Sequence, residues 1–278
     1  MSNINTLRLK LVGTILVAVG ALTQVAQADE RRFTYSYEAT IPPVGTVEYE
    51  HWVTWKTAKE VNRDYDKFEF RNELEYAMTE KLNVGFYFSD WSYTRDRTGP
   101  SEDERISEGS WDALGLELIY NLTDPVADPL GLALYGEIKG GNDLLELEGK
   151  IIAQKNFGSW MAVYNLTLEA EWEGERLVED KGEIVQTAGL SYQFHPSFTA
   201  GFELVHELHM DDWQGIHGKP ELYLGPNFSY RAETWWVTVT PLFQVTDKET
   251  AEDFQMRILF GVNLTDIGRE PVTEEVES

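Results

Sequence analysis

Residues 160–172 read WMAVYNLTLEAEW, and they separate by parity into two unlike faces. Trp160, Ala162, Tyr164, Leu166, Leu168, Ala170 and Trp172 form one face and carry no charge. Met161, Val163, Asn165, Thr167, Glu169 and Glu171 form the other. Alternation with a period of two predicts a β-strand with different environments on its two sides. Its length sharpens the reading. Twelve steps of roughly 3.4 Å give about 41 Å, and a tilt near 45° projects that to about 29 Å, close to the apolar thickness of a bilayer. A Trp stands at each end, where interfacial aromatic residues belong.

The alternation recurs at 44–56, 66–78, 82–93, 110–122, 131–139, 145–157, 183–194, 198–210, 220–230, 234–245 and 253–264. With 160–172 this predicts an all-β fold, a transmembrane up-and-down antiparallel β-barrel of about 12 strands. The number is even, and both termini then fall on the periplasmic side. Connections after odd strands are mostly long and charged, while those after even strands are mostly short. The exceptions are a long turn at 123–130 and a short loop at 140–144. A soluble lipocalin-like barrel is the structural rival, but it needs shorter strands and an apolar interior. Residues 29–43, ending in Ile41-Pro42-Pro43, are expected to form a periplasmic lead-in before the barrel at 44–264. The alternative is a plug folded into the lumen. Residues 265–278 are expected to form an acidic periplasmic tail.

Composition adds compartment. Arg8 and Lys10 precede an apolar run at 11–22, and Ala26-Gln27-Ala28 is a small-x-small cleavage site. Residues 1–28 therefore read as a Sec-type signal peptide rather than an anchor. The 278-residue chain has no Cys and a formal net charge of -25. Absence of Cys excludes disulfides, thiol catalysis and thiolate metal sites. Strong acidity argues against nucleic acid as a partner, since phosphate contacts need Lys and Arg. The expected location is the cell outer membrane, with lipids, lipopolysaccharide and the barrel-insertion machinery as partners and a monomeric state.

Strand direction orders the inward acids by height. Asp112, Glu137, Glu146, Glu148, Glu169, Glu171, Glu207 and Glu221 fall towards the external half. Glu48, Glu73 and Glu75 sit lower, with Glu117 and Glu203 between. The inward bases are Lys56, Lys67, Arg71, Lys139, Lys150 and Arg257. Like charge in a confined lumen concentrates counter-ions, which predicts an acidic vestibule favouring small cations or cationic solutes. The plainer alternative is that these Glu solvate the wall and pair with the bases. Twelve strands give a backbone radius of roughly 12 Å, and Trp52, Tyr87, Trp91, Tyr135, Tyr223 and Trp236 have the inward parity. Any passage is expected to be narrow.

No cofactor is expected, beyond a possible divalent cation at the external mouth. Glu207, His209, Asp211, Asp212 and His217 offer a Zn²⁺ or Cu²⁺ set there, in a spacing that matches no established motif. Carboxylates of the outer loops would alternatively suit Ca²⁺ or Mg²⁺ beside lipopolysaccharide phosphates. Catalysis has weak support: His195-Pro196-Ser197 falls in a turn at the wrong end for a lipid hydrolase, and i, i+2 carboxylate pairs such as Glu169 and Glu171 occur on nearly every strand.

With strands and turns assigned, residues 44–264 resemble bacterial outer-membrane β-barrel proteins of the porin and transporter type. The Pro43-Val44-Gly45-Thr46-Val47-Glu48 lead is similar to the Pro-x-Gly approach to the first strand in several uncharacterised members. The chain departs from them at its end, where Phe260 lies inside the last strand and fourteen residues follow Leu264. The resemblance implies outer-membrane residence and a porin or small-solute transporter role, and names no solute. The alternatives are a closed barrel with a structural or surface-binding role and, more remotely, a lipid-modifying enzyme.

Overall fold

The computed structural model describes residues 31–96, 106–141, 144–174, 176–211, 215–216 and 218–265. The expected signal peptide and nearly all of the acidic tail lie outside them. Twelve strands stand among the described residues: β1 (Val47–Lys59), β2 (Asn62–Thr79), β3 (Leu82–Asp96), β4 (Ile106–Thr123), β5 (Gly131–Gly140), β6 (Leu144–Phe157), β7 (Trp160–Glu173), β8 (Val178–His195), β9 (Phe198–Asp211), β10 (Glu221–Arg231), β11 (Trp235–Gln244) and β12 (Glu252–Asn263). Each pairs antiparallel with its neighbours in sequence, and β1 closes the ring on β12 from Glu48↔Asn263 to Lys59↔Glu252. Closure leaves no strand edge, which hydrocarbon would penalise, because every backbone N–H and C=O in it needs a protein partner. The end holding Val47 and Asn263 is called here the terminal end, and the opposite end the loop end.

Parity separates the faces as the alternation predicts. Along β7, Met161, Val163, Asn165 and Thr167 are buried in the lumen, while Trp160, Tyr164 and Leu168 are exposed on the outer wall. Aromatic side chains gather at the two rims of that wall. Around the terminal end a chain of ring contacts links Phe157, Trp160 and Tyr192, and another links Phe194, Phe198, Tyr230, Trp235 and Phe260. Towards the loop end Trp55, Phe68, Phe70, Trp91, Phe243 and Phe254 form a second set. Two aromatic girdles flanking an apolar band mark a transmembrane barrel and rule out the lipocalin alternative.

The structure departs from the sequence reading at three places. Trp91 points outward, not into the lumen, and stacks on Phe70 with ring centroids 4.0 Å apart. The register of β3 on β4 shifts between Tyr87 and Trp91, and the extra residue reverses parity beyond it. The first loop-end connection is short, because β1 and β2 run on to the pair Lys59↔Asn62, past a register shift beside Ala58 at φ 56°. Finally, residues 31–41 follow the plug alternative and do not lead in from outside the barrel. They lie within it.

The outer face generates a direct test. Leu166→Arg, at the middle of β7, is expected to cost roughly 2–4 kcal/mol of folding free energy in lipid vesicles. Urea titration measures it, and a cost near zero would mean that this face does not meet hydrocarbon.

Candidate functional site in the barrel lumen

The wall spends its backbone hydrogen bonds on its own ladder, so a segment inside the barrel has to be held by side chains. Residues 31–41 are. The carboxylate of Glu203, fully buried on β9, accepts the backbone N–H groups of Thr34, Tyr35 and Ser36 at 2.9, 3.0 and 2.9 Å. It also accepts the hydroxyls of Thr34 and Thr240, at 3.2 and 2.6 Å. Further along, Asn165 accepts the Tyr37 N–H at 2.6 Å and donates to the Tyr37 carbonyl at 3.0 Å. Gln154 accepts the Ala39 N–H at 2.6 Å, and Asn121 donates to the Ala39 carbonyl at 3.1 Å. The segment thus crosses from the β9–β11 wall to the β4–β6 wall. Apolar contacts complete the seat. Phe33 fills the space over Gly189, where an added Cβ would stand 2.5 Å from its ring. Tyr37 and Ala39 pack among Trp52, Tyr135, Ile152 and Trp236.

Tyr37 divides the lumen. Its ring has the Arg31 guanidinium 4.3 Å from its centroid and the Lys150 ammonium at 3.9 Å, with Tyr135 edge-on at 4.9 Å. Towards the loop end a cavity of about 880 Å³ stands above it, with Tyr35, Tyr37, Trp52 and Tyr135 among its lining residues.

Acids outnumber bases on the β6 to β9 side of this cavity, and bases gather on the β12 to β2 side. Lys56 (β1), Lys67 and Arg71 (β2) and Arg257 (β12) occupy one side, with Glu69 between Lys56 and Lys67 at 3.2 and 2.8 Å. Glu146, Glu148, Glu169, Glu171, Glu183 and Glu207 line β6 to β9. Of the eight acids expected in the external half, seven line this cavity; Glu221 does not. Most are neutralised locally. Lys139 holds Glu137 and Glu146, Lys150 holds Glu148 and Lys181 holds Glu171, each at 2.7 Å. Asp112 accepts a hydrogen bond from Ser92 at 3.3 Å. Glu169 and Glu207 form neither a hydrogen bond nor an ion pair among the described residues. With Asp112, they are the expected acids of this cavity that have no base in ion-pair contact among the described residues.

The residues considered for a metal are brought together only in part. Asp211 ends β9, and Asp212 and His217 lie outside the described residues. Glu207, His209 and Glu221 do place ligand atoms within 4.8 Å of one another. His209 is already engaged, however, with Nδ1 2.9 Å from Glu183 and Nε2 2.9 Å from Glu221. Two carboxylates flanking one imidazole are matched when both nitrogens donate, which leaves no lone pair for a metal. Sequence spacing missed Glu183 and Glu221 because they reach His209 from other strands, through the registers Glu183↔His209 and Glu221↔Glu207. At the terminal end, Ser197 donates its backbone N–H to His195 Nδ1 at 3.1 Å; His195 ends β8 and Ser197 stands in the turn before β9.

Residues 25–257 match the sequence profile of a family described as a Family of unknown function, DUF6662. No curated protein matches the chain. Among solved structures, the chain is similar to the COG4313 outer membrane channel from Pseudomonas putida F1. The two share 12% identity over 83% of this chain and 99% of that one, with a TM-score of 0.56. The chain is also similar to the NanC porin, at 7% identity over 77% of this chain and 98% of that one, with a TM-score of 0.50. At these identities the likeness is one of fold.

The seat of the segment is testable by proteolysis. Hydrogen bonds to a charged acceptor contribute about 1.5–3 kcal/mol each, so Glu203→Ala is expected to raise tryptic cleavage after Arg31 and Arg32 on the order of tenfold or more. Cleavage unchanged from the native barrel would show that Glu203 does not hold the segment.

Proposed function

The chain belongs to this family of unknown function, and from that premise we propose that it is an outer-membrane channel or small-solute porin whose external vestibule prefers cations. The observation that carries the reading is the cavity of about 880 Å³ open within a closed barrel. Glu169 and Glu207, which have no base in ion-pair contact in its wall, support the cation preference. A lumen wall with fixed negative charge raises the local concentration of cations and repels anions. The barrel shared with proteins described as a channel and a porin supports the same reading. The terminal end then faces the periplasm, and passage requires residues 31–41 to shift.

A second reading has an observation in its favour. The side-chain hydrogen bonds that seat residues 31–41 would also suit a permanently closed barrel with a structural or surface-binding role.

Reversal potentials across a salt gradient in planar bilayers test the proposal. The native protein is expected to favour cations. Glu169→Gln/Glu207→Gln is expected to lower the cation-to-anion permeability ratio by roughly a factor of two or more, because fixed wall charge sets the ion ratio in a narrow lumen. An unchanged ratio would refute the vestibule argument, and no current at any voltage would favour the closed barrel.

A further inference from the structure

On the terminal side of Tyr37 lies a second, smaller cavity of about 40 Å³, lined in part by Arg31, Glu48, Glu50, Glu75 and Asn83. The register of β1 on β2 sets Glu48 opposite Glu75 and Glu50 opposite Glu73. Like charges directly opposed across a strand pair repel, and burial makes the repulsion worse. Here Glu50 and Glu73 are fully buried and Glu75 is 9% exposed.

Glu50, Glu73 and Glu75 bring one carboxylate oxygen each within 4.8 Å of one another. Their compensation is incomplete. Arg31 reaches Glu50 at 3.3 Å, Trp52 Nε1 donates to Glu50 at 2.7 Å, and Asn83 donates to Glu75 at 2.6 Å. Among the described residues, neither oxygen of Glu73 has a hydrogen-bond partner, and Oε1 of Glu50 has none. Space for the Glu73 carboxylate exists only because residue 85 is Gly: a Cβ there would stand 2.2 Å from Glu73 Oε1.

We propose that Glu50, Glu73 and Glu75 form a binding site for a divalent cation of the calcium class, set between the barrel wall and residues 31–41. Glu50, Glu73 and Glu75 with the Arg31 guanidinium leave two negative charges and Glu48, opposite Glu75, adds a third, so a divalent ion offsets most of the local excess. Calcium takes oxygen ligands at about 2.3–2.6 Å in adaptable geometry, so ligand oxygens up to about 5 Å apart are in reach of one ion. The cavity beside Glu50 and Glu75 has room for coordinating water. Arg31 shares Glu50 with the site, so the N-terminal segment and the ion meet at one carboxylate. The acidic clusters nearer the loop end lack this case. Glu146, Glu169 and Glu171 also converge within 4.8 Å, but Lys139 and Lys181 already sit on two of them at 2.7 Å.

Terbium luminescence sensitised by Trp tests the proposal on the folded full chain in detergent at pH 8, after EDTA treatment. Trp52 lies in contact with the site. One saturable signal is expected, displaced by Ca²⁺, together with a rise in the thermal midpoint on adding Ca²⁺ and a fall with EDTA. Glu73→Gln and Glu75→Gln are each expected to weaken terbium binding tenfold or more, with folding checked by migration on unheated gels. If one variant does not fold, the other carries the comparison. Glu169→Gln/Glu171→Gln is expected to keep the signal. Absence of a signal in the native protein, with a midpoint indifferent to Ca²⁺ and EDTA, would overturn the site. So would a signal lost in Glu169→Gln/Glu171→Gln and retained in Glu73→Gln, which places the ion at the mouth.

Discussion

Pairing of β1 with β12 is the constraint on which the rest of the molecule depends. A strand edge left open in hydrocarbon would carry a row of unsatisfied N–H and C=O groups, so the sheet has to close. Closure fixes an inside and an outside for every residue of every strand. It also exhausts the wall's backbone hydrogen bonding. Anything placed in the lumen must then be recognised by side chains, and the inward positions supply Glu203, Asn165, Gln154 and Asn121 for that purpose. One buried carboxylate accepting three successive N–H groups replaces the ladder partner that residues 34–36 would have had in a sheet.

The same confinement shapes the electrostatics. A barrel lumen brings acids from neighbouring strands within a few ångströms, where repulsion is poorly screened. This protein meets the problem mainly by interleaving bases at the same height, as Lys139, Lys150 and Lys181 do beside Glu146, Glu148 and Glu171. The plain alternative for the lumen acids therefore describes most of them. Glu169 and Glu207 depart from it, and so does the Glu50–Glu73–Glu75 group under the N-terminal segment. Those departures carry the two functional proposals, because an unneutralised charge in a fixed wall acts on mobile ions.

Much of the architecture was legible because a membrane strand writes its two faces into the chain. Residues 160–172 reappear almost unchanged as β7, with Glu169 and Glu171 inward near the loop end and Trp160 in the outer girdle. What was lost depended on relations between strands. Trp91 was misplaced because a register shift reverses parity without any local signature such as Gly or Pro beside it. The partners of His209 come from β8 and β10, and pairing register sets their height. Residues 31–41 stood as a plug only in the alternative reading, for another reason. Their Phe33, Tyr35, Tyr37 and Ala39 alternate like a strand, yet the segment is too short to span, and nothing local says that Gly189 and Glu203 are waiting for it.

The central claim is that one lumen passes through the barrel and is closed by its own N-terminal segment. Conductance in planar bilayers, comparing the native protein with a variant lacking residues 31–41, tests it most directly. The account predicts a small or intermittent current for the native barrel and a larger, steady current once the segment is gone. Equal currents from both would contradict it.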